Sequence, residues 1–144
     1  MSFIIKTNGS LFLGSKEDAK NEKFANDNKI SVIINVTRDV KDHYKYGTMM
    51  YYRVPIDDDL TDISTAYMAY HLRYMPEIIQ FHLSKGDNLL VHCFAGKERS
   101  ATVVLAYLIK YHFHSYKLAL KYLLDKKKDV FYHGKNENFK DLFK

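Results

Sequence analysis

Two kinds of apolar pattern alternate along the chain. Short runs at Phe3-Ile4-Ile5 and Leu11-Phe12-Leu13 flank Asn8-Gly9 and predict an early hairpin. Ile30 to Val36 is β-branched with no polar alternation beyond Ser31, the pattern of a strand buried on both faces of a largely parallel sheet. Arg38 to Tyr46 is polar and predicts a loop or short helix, and Met49 to Ile56 reads as a further strand ending at Pro55. Leu89-Leu90-Val91 is the last such run.

Helical stretches lie between these strands. Ser15 is the expected N-cap of a helix over Lys16 to Asn26, with Glu17 and Asp18 in its first turn. Ser64 is the expected cap of a helix running toward Leu83. Pro76 falls inside that span. An interior proline costs about 3 kcal/mol but is harmless in a first turn, so a break near Tyr74 to Pro76 is expected, with helix resuming at Glu77. Ala101 to Ile109 is apolar nearly all round, which predicts a central buried helix. Ser115 is the expected cap of a helix in which Ala119, Tyr122 and Leu123 share a face, and Asn138 to Phe143 reads as a closing helix. Strands alternating with helices predict an α/β fold, a central, mostly parallel twisted sheet flanked by helices on both faces. At 144 residues this is one domain, 1–144, with room for a real core.

The candidate chemistry is concentrated in His92-Cys93-Phe94-Ala95-Gly96-Lys97-Glu98-Arg99-Ser100, between the last strand and the buried helix. A loop closing on a helix N-terminus turns backbone N–H groups inward, and the helix dipole adds partial positive charge. The amides from Phe94 to Arg99 are therefore expected to line an oxyanion nest, to which Arg99 adds a bidentate fork. Cys93, the chain's one cysteine, sits where every neighbour favours the thiolate. A merely structural cysteine would leave Gly96, Arg99 and Ser100 unexplained.

Those residues resemble the active-site motif of the cysteine-dependent protein phosphatases. The form His-Cys-x-Ala-Gly-x-x-Arg-Ser-Ala is similar to the dual-specificity branch, in a small atypical or viral-like catalytic domain. Leu11 to Ser15 with Ala19 and Asn21, Ile33 to Thr37, and Val54 to Asp58 resemble further parts of that domain. The resemblance implies a nucleophilic Cys93, a phosphate-holding Arg99, a Ser100 that hydrogen-bonds the departing sulfur, and a His92 that orients the loop and tunes the thiolate. It also implies a general-acid aspartate within Asp57-Asp58-Asp59. Counting forward from Pro55 selects Asp58, the preferred residue, and counting back from Ile63-Ser64 selects Asp57. No metal or cofactor is implied.

Composition narrows the function classes. Apolar content of 47% and charged content of 27% are ordinary for a globular chain, and no run of 18 apolar residues suggests a membrane span. One cysteine suits a reducing, cytoplasmic setting, and the first residues lack a secretory leader. The net charge of +5 attracts acidic partners such as phosphoproteins, while the absence of an aromatic-basic module argues against a stable nucleic-acid partner. The seven histidines form no metal-ligand spacing. Lys97 stands where lipid phosphatases of the superfamily often carry lysine. Glu98 is unusual for dual-specificity enzymes, and a carboxylate at the pocket mouth would repel a phosphate dianion. A phosphoinositide or RNA 5′-phosphatase is therefore the alternative chemistry, and a non-catalytic phosphopeptide-binding module a third reading, against which the presence of both Cys93 and Arg99 argues.

Overall fold

The computed structural model describes residues 1–43, 49–57, 61–131 and 139–143. Five strands form one sheet: β1 (Ser2–Lys6), β2 (Ser10–Gly14), β3 (Ile30–Asn35), β4 (Met50–Arg53) and β5 (Asn88–His92), in the order β1-β2-β5-β3-β4. Among the described residues only the β1–β2 hairpin is antiparallel; β5 runs parallel to β2 and β3, and β3 parallel to β4.

The unalternating apolar runs have the structural counterpart expected of them. Side chains alternate across a strand, so a strand covered on both faces must be apolar at every position. Leu11 and Leu13 of β2, Val32 and Ile34 of β3, and Leu89 and Val91 of β5 enter one core. Phe12, Ile33 and Leu90 enter a second, smaller core on the opposite face with Ala19, Phe24 and Ala25. That smaller core is closed by α1 (Lys16–Lys20) and α2 (Glu22–Asp27). The larger one is closed by α3 (Asp62–Leu72), α4 (Met75–Ser84), α5 (Arg99–Leu108) and α6 (Tyr116–Lys126). Nine of the ten residues of α5 are buried, as its all-round apolarity predicts.

Several boundaries differ from the sequence reading, each for a local reason. The helix expected over Lys16 to Asn26 is two helices, because Asn21 adopts an extended backbone and its Oδ1 accepts from Phe24 N at 3.0 Å, capping α2. α3 is capped by Thr61 rather than Ser64: Thr61 Oγ1 accepts from Ser64 N at 3.2 Å, placing Ser64 in the first turn and inside the core. The break before Pro76 is present, but helix resumes at Met75, with the proline in the first turn. β4 ends at Arg53, three residues before Ile56.

α5 continues into a π-helical turn, Ile109–Phe113, that ends at a left-handed His114. The wider turn brings residues five apart onto one face, where His112 Nε2 lies 2.7 Å from Tyr107 Oη. Ser115 caps α6, as expected. The closing segment is a 3₁₀ turn, Lys140–Phe143, preceded by a fully buried Phe139, while Asn138 lies outside the described residues. No helix among the described residues is long and apolar enough to cross a membrane.

Candidate active site

Because β2, β3, β4 and β5 run parallel, their carboxyl ends share one edge of the sheet, where crevices of open α/β sheets form. Four connections meet there: Ser15 after β2, Thr37 and Arg38 after β3, Ile56 and Asp57 after β4, and the Cys93 loop after β5. Gly14 and Asn35 both pair with His92, so the last residues of the three central strands stand side by side.

The loop from Cys93 to Glu98 is shaped by close backbone contact. Gly96 has φ of 75°, a left-handed conformation that glycine adopts without strain. A Cβ there would lie 2.7 Å from both C and O of Gly14, so no larger residue fits without moving the β2–α1 junction. Lys16 N donates to Phe94 O at 3.0 Å, and Lys16 Nζ lies 3.9 Å from the Phe94 ring centroid. On the far side, Phe131 N donates to Lys97 O at 2.9 Å. The loop is therefore held from both flanks.

Cys93 is 3% exposed. Its Sγ accepts a hydrogen bond from Gly96 N at 3.3 Å and lies 3.1 Å from Ser100 Oγ. Arg99 and Ser100 form the first turn of α5, which carries no side-chain N-cap and no acidic residue in that turn. Its leading amides are thus not taken by a cap, and its dipole points positive charge at the sulfur. Arg99 is 6% exposed and its Nη1 donates to Ile56 O at 2.8 Å. Its buried Nε has no hydrogen-bond partner among the described residues. A buried guanidinium N–H left unpaired is costly, and a bound oxyanion would complete it.

His92 is 1% exposed, and its Nδ1 lies 3.2 Å from Cys93 O. A carbonyl only accepts, so Nδ1 carries the proton and pins the loop's first peptide. Burial, only partly opposed by that bond and by Asp42, holds the imidazole below its ordinary value of 6.5, so it is neutral at pH 7. The unfolded chain therefore binds a proton at His92 before the folded chain does. That contribution to stability is intact above pH 6.5 and is lost as pH falls through the window below it. Melting temperature is expected to fall between pH 7 and pH 5, and a His92→Asn variant to show a shallower fall. An equal acid slope in wild type and variant would remove His92 from this role.

Asn35, expected only as part of a strand, organises the floor beside His92. Its Nδ2 donates to Val40 O at 2.7 Å and to Asp42 Oδ1 at 3.1 Å, and its Oδ1 accepts from Thr37 Oγ1 at 2.7 Å. Arg53 Nη1 donates to Thr37 O at 3.0 Å. The signal for this network was a buried polar pair, Asn35 and Thr37, closing an otherwise apolar run. The Ile56 carbonyl that anchors Arg99 carries no side-chain signal at all.

The remaining expected residues are placed as follows. Phe94 and Ala95 are exposed at the rim, and Lys97 is half-buried. Glu98 is shielded from solvent: it is 2% exposed, and its backbone carbonyl accepts from Thr102 N and Oγ1. Its carboxylate sits at the N-terminal end of α5, where the dipole favours negative charge. Lys97 adds to the positive field around Asp129. Burial there works toward a higher pKa, but the Lys127 hydrogen bond and charge, with Lys97, take Asp129 below the usual carboxylate range. Asp57 Oδ1 accepts from Arg38 Nε at 3.1 Å at a half-exposed position. Asp58 and Asp59 lie outside the described residues. Among the described residues no group of three or more His, Cys, Asp or Glu is placed to hold a metal ion.

Residues 11–142 match the family described as "Dual specificity phosphatase, catalytic domain". Dual specificity protein phosphatase 9 of Homo sapiens is 34% identical over 113 residues, 76% of this chain and 28% of that protein. Dual specificity protein phosphatase 18 of Mus musculus is 36% identical over 104 residues, 72% of this chain and 52% of that protein. The chain thus spans at most about half the length of these curated relatives. The crystal structure of human DUSP28 superposes with a TM-score of 0.79 at 22% identity, covering 99% of this chain and 92% of that one, a likeness of fold.

Proposed function

The chain belongs to the dual-specificity phosphatase family, and on that premise we propose that it is a protein phosphatase hydrolysing phosphotyrosine and phosphoserine or phosphothreonine through a phosphocysteine. We read residues 1–144 as one such catalytic domain, acting on phosphoproteins in a reducing compartment where the thiol stays free. The observation that carries the reading is the pairing of Cys93 Sγ, at 3.3 Å from Gly96 N, with a buried Arg99 whose Nε lacks a partner among the described residues.

The Cys93 thiolate attacks phosphorus in line, and the P–S bond forms as the P–O bond to the substrate oxygen breaks. Arg99 and the amides of Phe94, Ala95, Gly96, Lys97, Glu98 and Arg99 hold the equatorial oxygens, where charge spreads in the transition state. Asp58 protonates the leaving oxygen, then accepts a proton from the water that hydrolyses the phosphocysteine. We assign the acid to Asp58 rather than Asp57 because the Asp57 carboxylate is engaged by Arg38. Ser100, 3.1 Å from the sulfur, hydrogen-bonds the thiolate as it departs. His92 positions the loop through the Cys93 carbonyl.

A substrate panel tests the assignment. Phosphotyrosine peptide, phosphothreonine peptide, a phosphoinositide and an RNA 5′-triphosphate are assayed with EDTA present. Turnover of both peptides is expected, with phosphotyrosine at least as good, because the expected pocket is shallow enough for the shorter side chain to reach Cys93. Inertness toward phosphothreonine in several sequence contexts, or faster turnover of the phosphoinositide or RNA, would reassign the substrate class.

A further inference from the structure

Helix α3 is inside out. It buries Ser64 and Met68, while Ile63, Tyr67 and Tyr70 stand 67%, 57% and 59% exposed. Spaced by four and three residues, the three line one face of the helix. Scattered exposed apolar residues are ordinary, but an aligned aromatic face at the rim of a cleft marks a binding surface. Here the face overhangs a groove of about 530 Å³ lined by Arg38, Pro55, Tyr67, Tyr70 and His71. A second concavity of about 420 Å³ continues it through Arg38, Pro55 and Tyr67 to Asp57. Both volumes fall in the range of ligand clefts.

The groove adjoins the candidate cradle. Pro55 and Asp57 flank Ile56, whose carbonyl holds Arg99. The groove and the cradle are thus joined through the backbone of residues 55–57, along which a peptide with its phosphoresidue over Cys93 would pass. Its walls are preformed: the Tyr70 ring packs edge-on against His71 and Tyr74, and His71 Nδ1 is hydrogen-bonded to Tyr74 Oη. Burial holds His71 below its ordinary pKa, so its ring is neutral at pH 7. Among the described residues of the lining, Arg38 is then the one fixed cation. Its side chain is 68% exposed, and its Nε bond to Asp57 uses one of five N–H donors.

We propose that this groove is a substrate subsite that takes a bulky apolar side chain flanking the phosphoresidue, with an acidic neighbour of the peptide meeting Arg38. The apolar walls are complementary to such a side chain in shape, and at the end nearest the acid loop Arg38, paired through Nε with Asp57, keeps its other N–H donors for an acidic neighbour. The proposal rests on the phosphatase reading and selects among its substrates.

The test compares phosphopeptides carrying Leu, Phe, Ser or Gly at each of the three positions on either side of the phosphoresidue, with and without an adjacent Glu. Wild type is expected to favour Leu or Phe over Ser or Gly at one flanking position by about 5–20-fold in kcat/KM, the scale of one partly buried side chain. That preference should reside in KM and shrink to within about twofold in Tyr67→Ser and Tyr70→Ser, both exposed positions where the fold survives. The ratio of peptide to small aryl phosphate turnover should fall in parallel. Anisotropy with Cys93→Ser and fluorescent phosphopeptides reads the same preference without turnover. If catalysis fails but this binding preference holds, the subsite stands and the phosphatase reading falls. A preference unchanged by both tyrosine substitutions overturns the subsite. So does a dimer in sedimentation that Tyr67→Ser dissolves while peptide selectivity stays, since a second copy would then be the occupant.

Discussion

Cys93→Ser is expected to lower turnover of phosphotyrosine peptide by at least about 10⁴-fold, to background, while the protein folds and still binds phosphopeptide. The sulfur sits at the centre of the cradle, 3.3 Å from Gly96 N and 3.1 Å from Ser100 Oγ. These contacts, with the dipole of α5, direct donors and partial positive charge at the nucleophilic atom. A serine hydroxyl in the same place stays protonated and is a poor nucleophile. Yet it is nearly isosteric, so the Gly96 contact with Gly14 and the Arg99–Ile56 bond are not disturbed. The two readouts separate chemistry from structure: hydrolysis disappears, and phosphopeptide binding and melting temperature do not. Residual turnover above background in purified Cys93→Ser would remove the sulfur from the mechanism. Loss of both turnover and binding would mean that the sulfur mainly supports the loop.

The central strands and the Cys93 loop were legible because their constraints are strong and continuous. A strand covered on both faces cannot carry a polar residue cheaply, so Val32 to Ile34 and Leu89 to Val91 announce their environment at every position. Helix starts were less legible. Ser64 and Thr61 are both good caps three residues apart, and one hydrogen bond from Ser64 N to Thr61 Oγ1 decides between them. Asn21 ends α1 and starts α2 with the same side chain, which no periodicity can show. The π-helical turn after Leu108 rests on a Tyr107–His112 pairing that a 3.6-residue period does not anticipate.

Within the site, the residues that hold Arg99 and Cys93 in place were the least legible. Ile56 contributes a backbone oxygen, and Gly14 contributes backbone atoms so close that only a glycine fits at position 96. Glu98 illustrates the opposite error, in which a charged side chain in a loop is assumed to face solvent. Its burial follows from its place at the start of a helix whose other residues are almost all buried.

Asp58→Ala is expected to reduce kcat/KM for phosphotyrosine peptide by about 10²-fold or more, the usual range for general-acid catalysis, and to affect an activated aryl phosphate much less. An unactivated phenolate or alkoxide leaves badly and needs a proton in the transition state. A leaving group of low pKa, such as a fluorinated aryl oxide, departs without one. Loss that grows with leaving-group pKa is therefore a signature that a structural defect would not produce. With the acid gone, the fall of rate at high pH should flatten, because that limb reports deprotonation of the acid. Asp57→Ala separates the two candidates. It removes the Arg38 bond at 3.1 Å and should shift the rates of all substrates together, as a change in loop position does. If Asp57→Ala instead shows the leaving-group-dependent loss, the acid is Asp57 and Arg38 is the group that holds it. If neither variant does, the leaving oxygen takes its proton from outside this loop, and the Cys93–Arg99 cradle must be paired with a different donor.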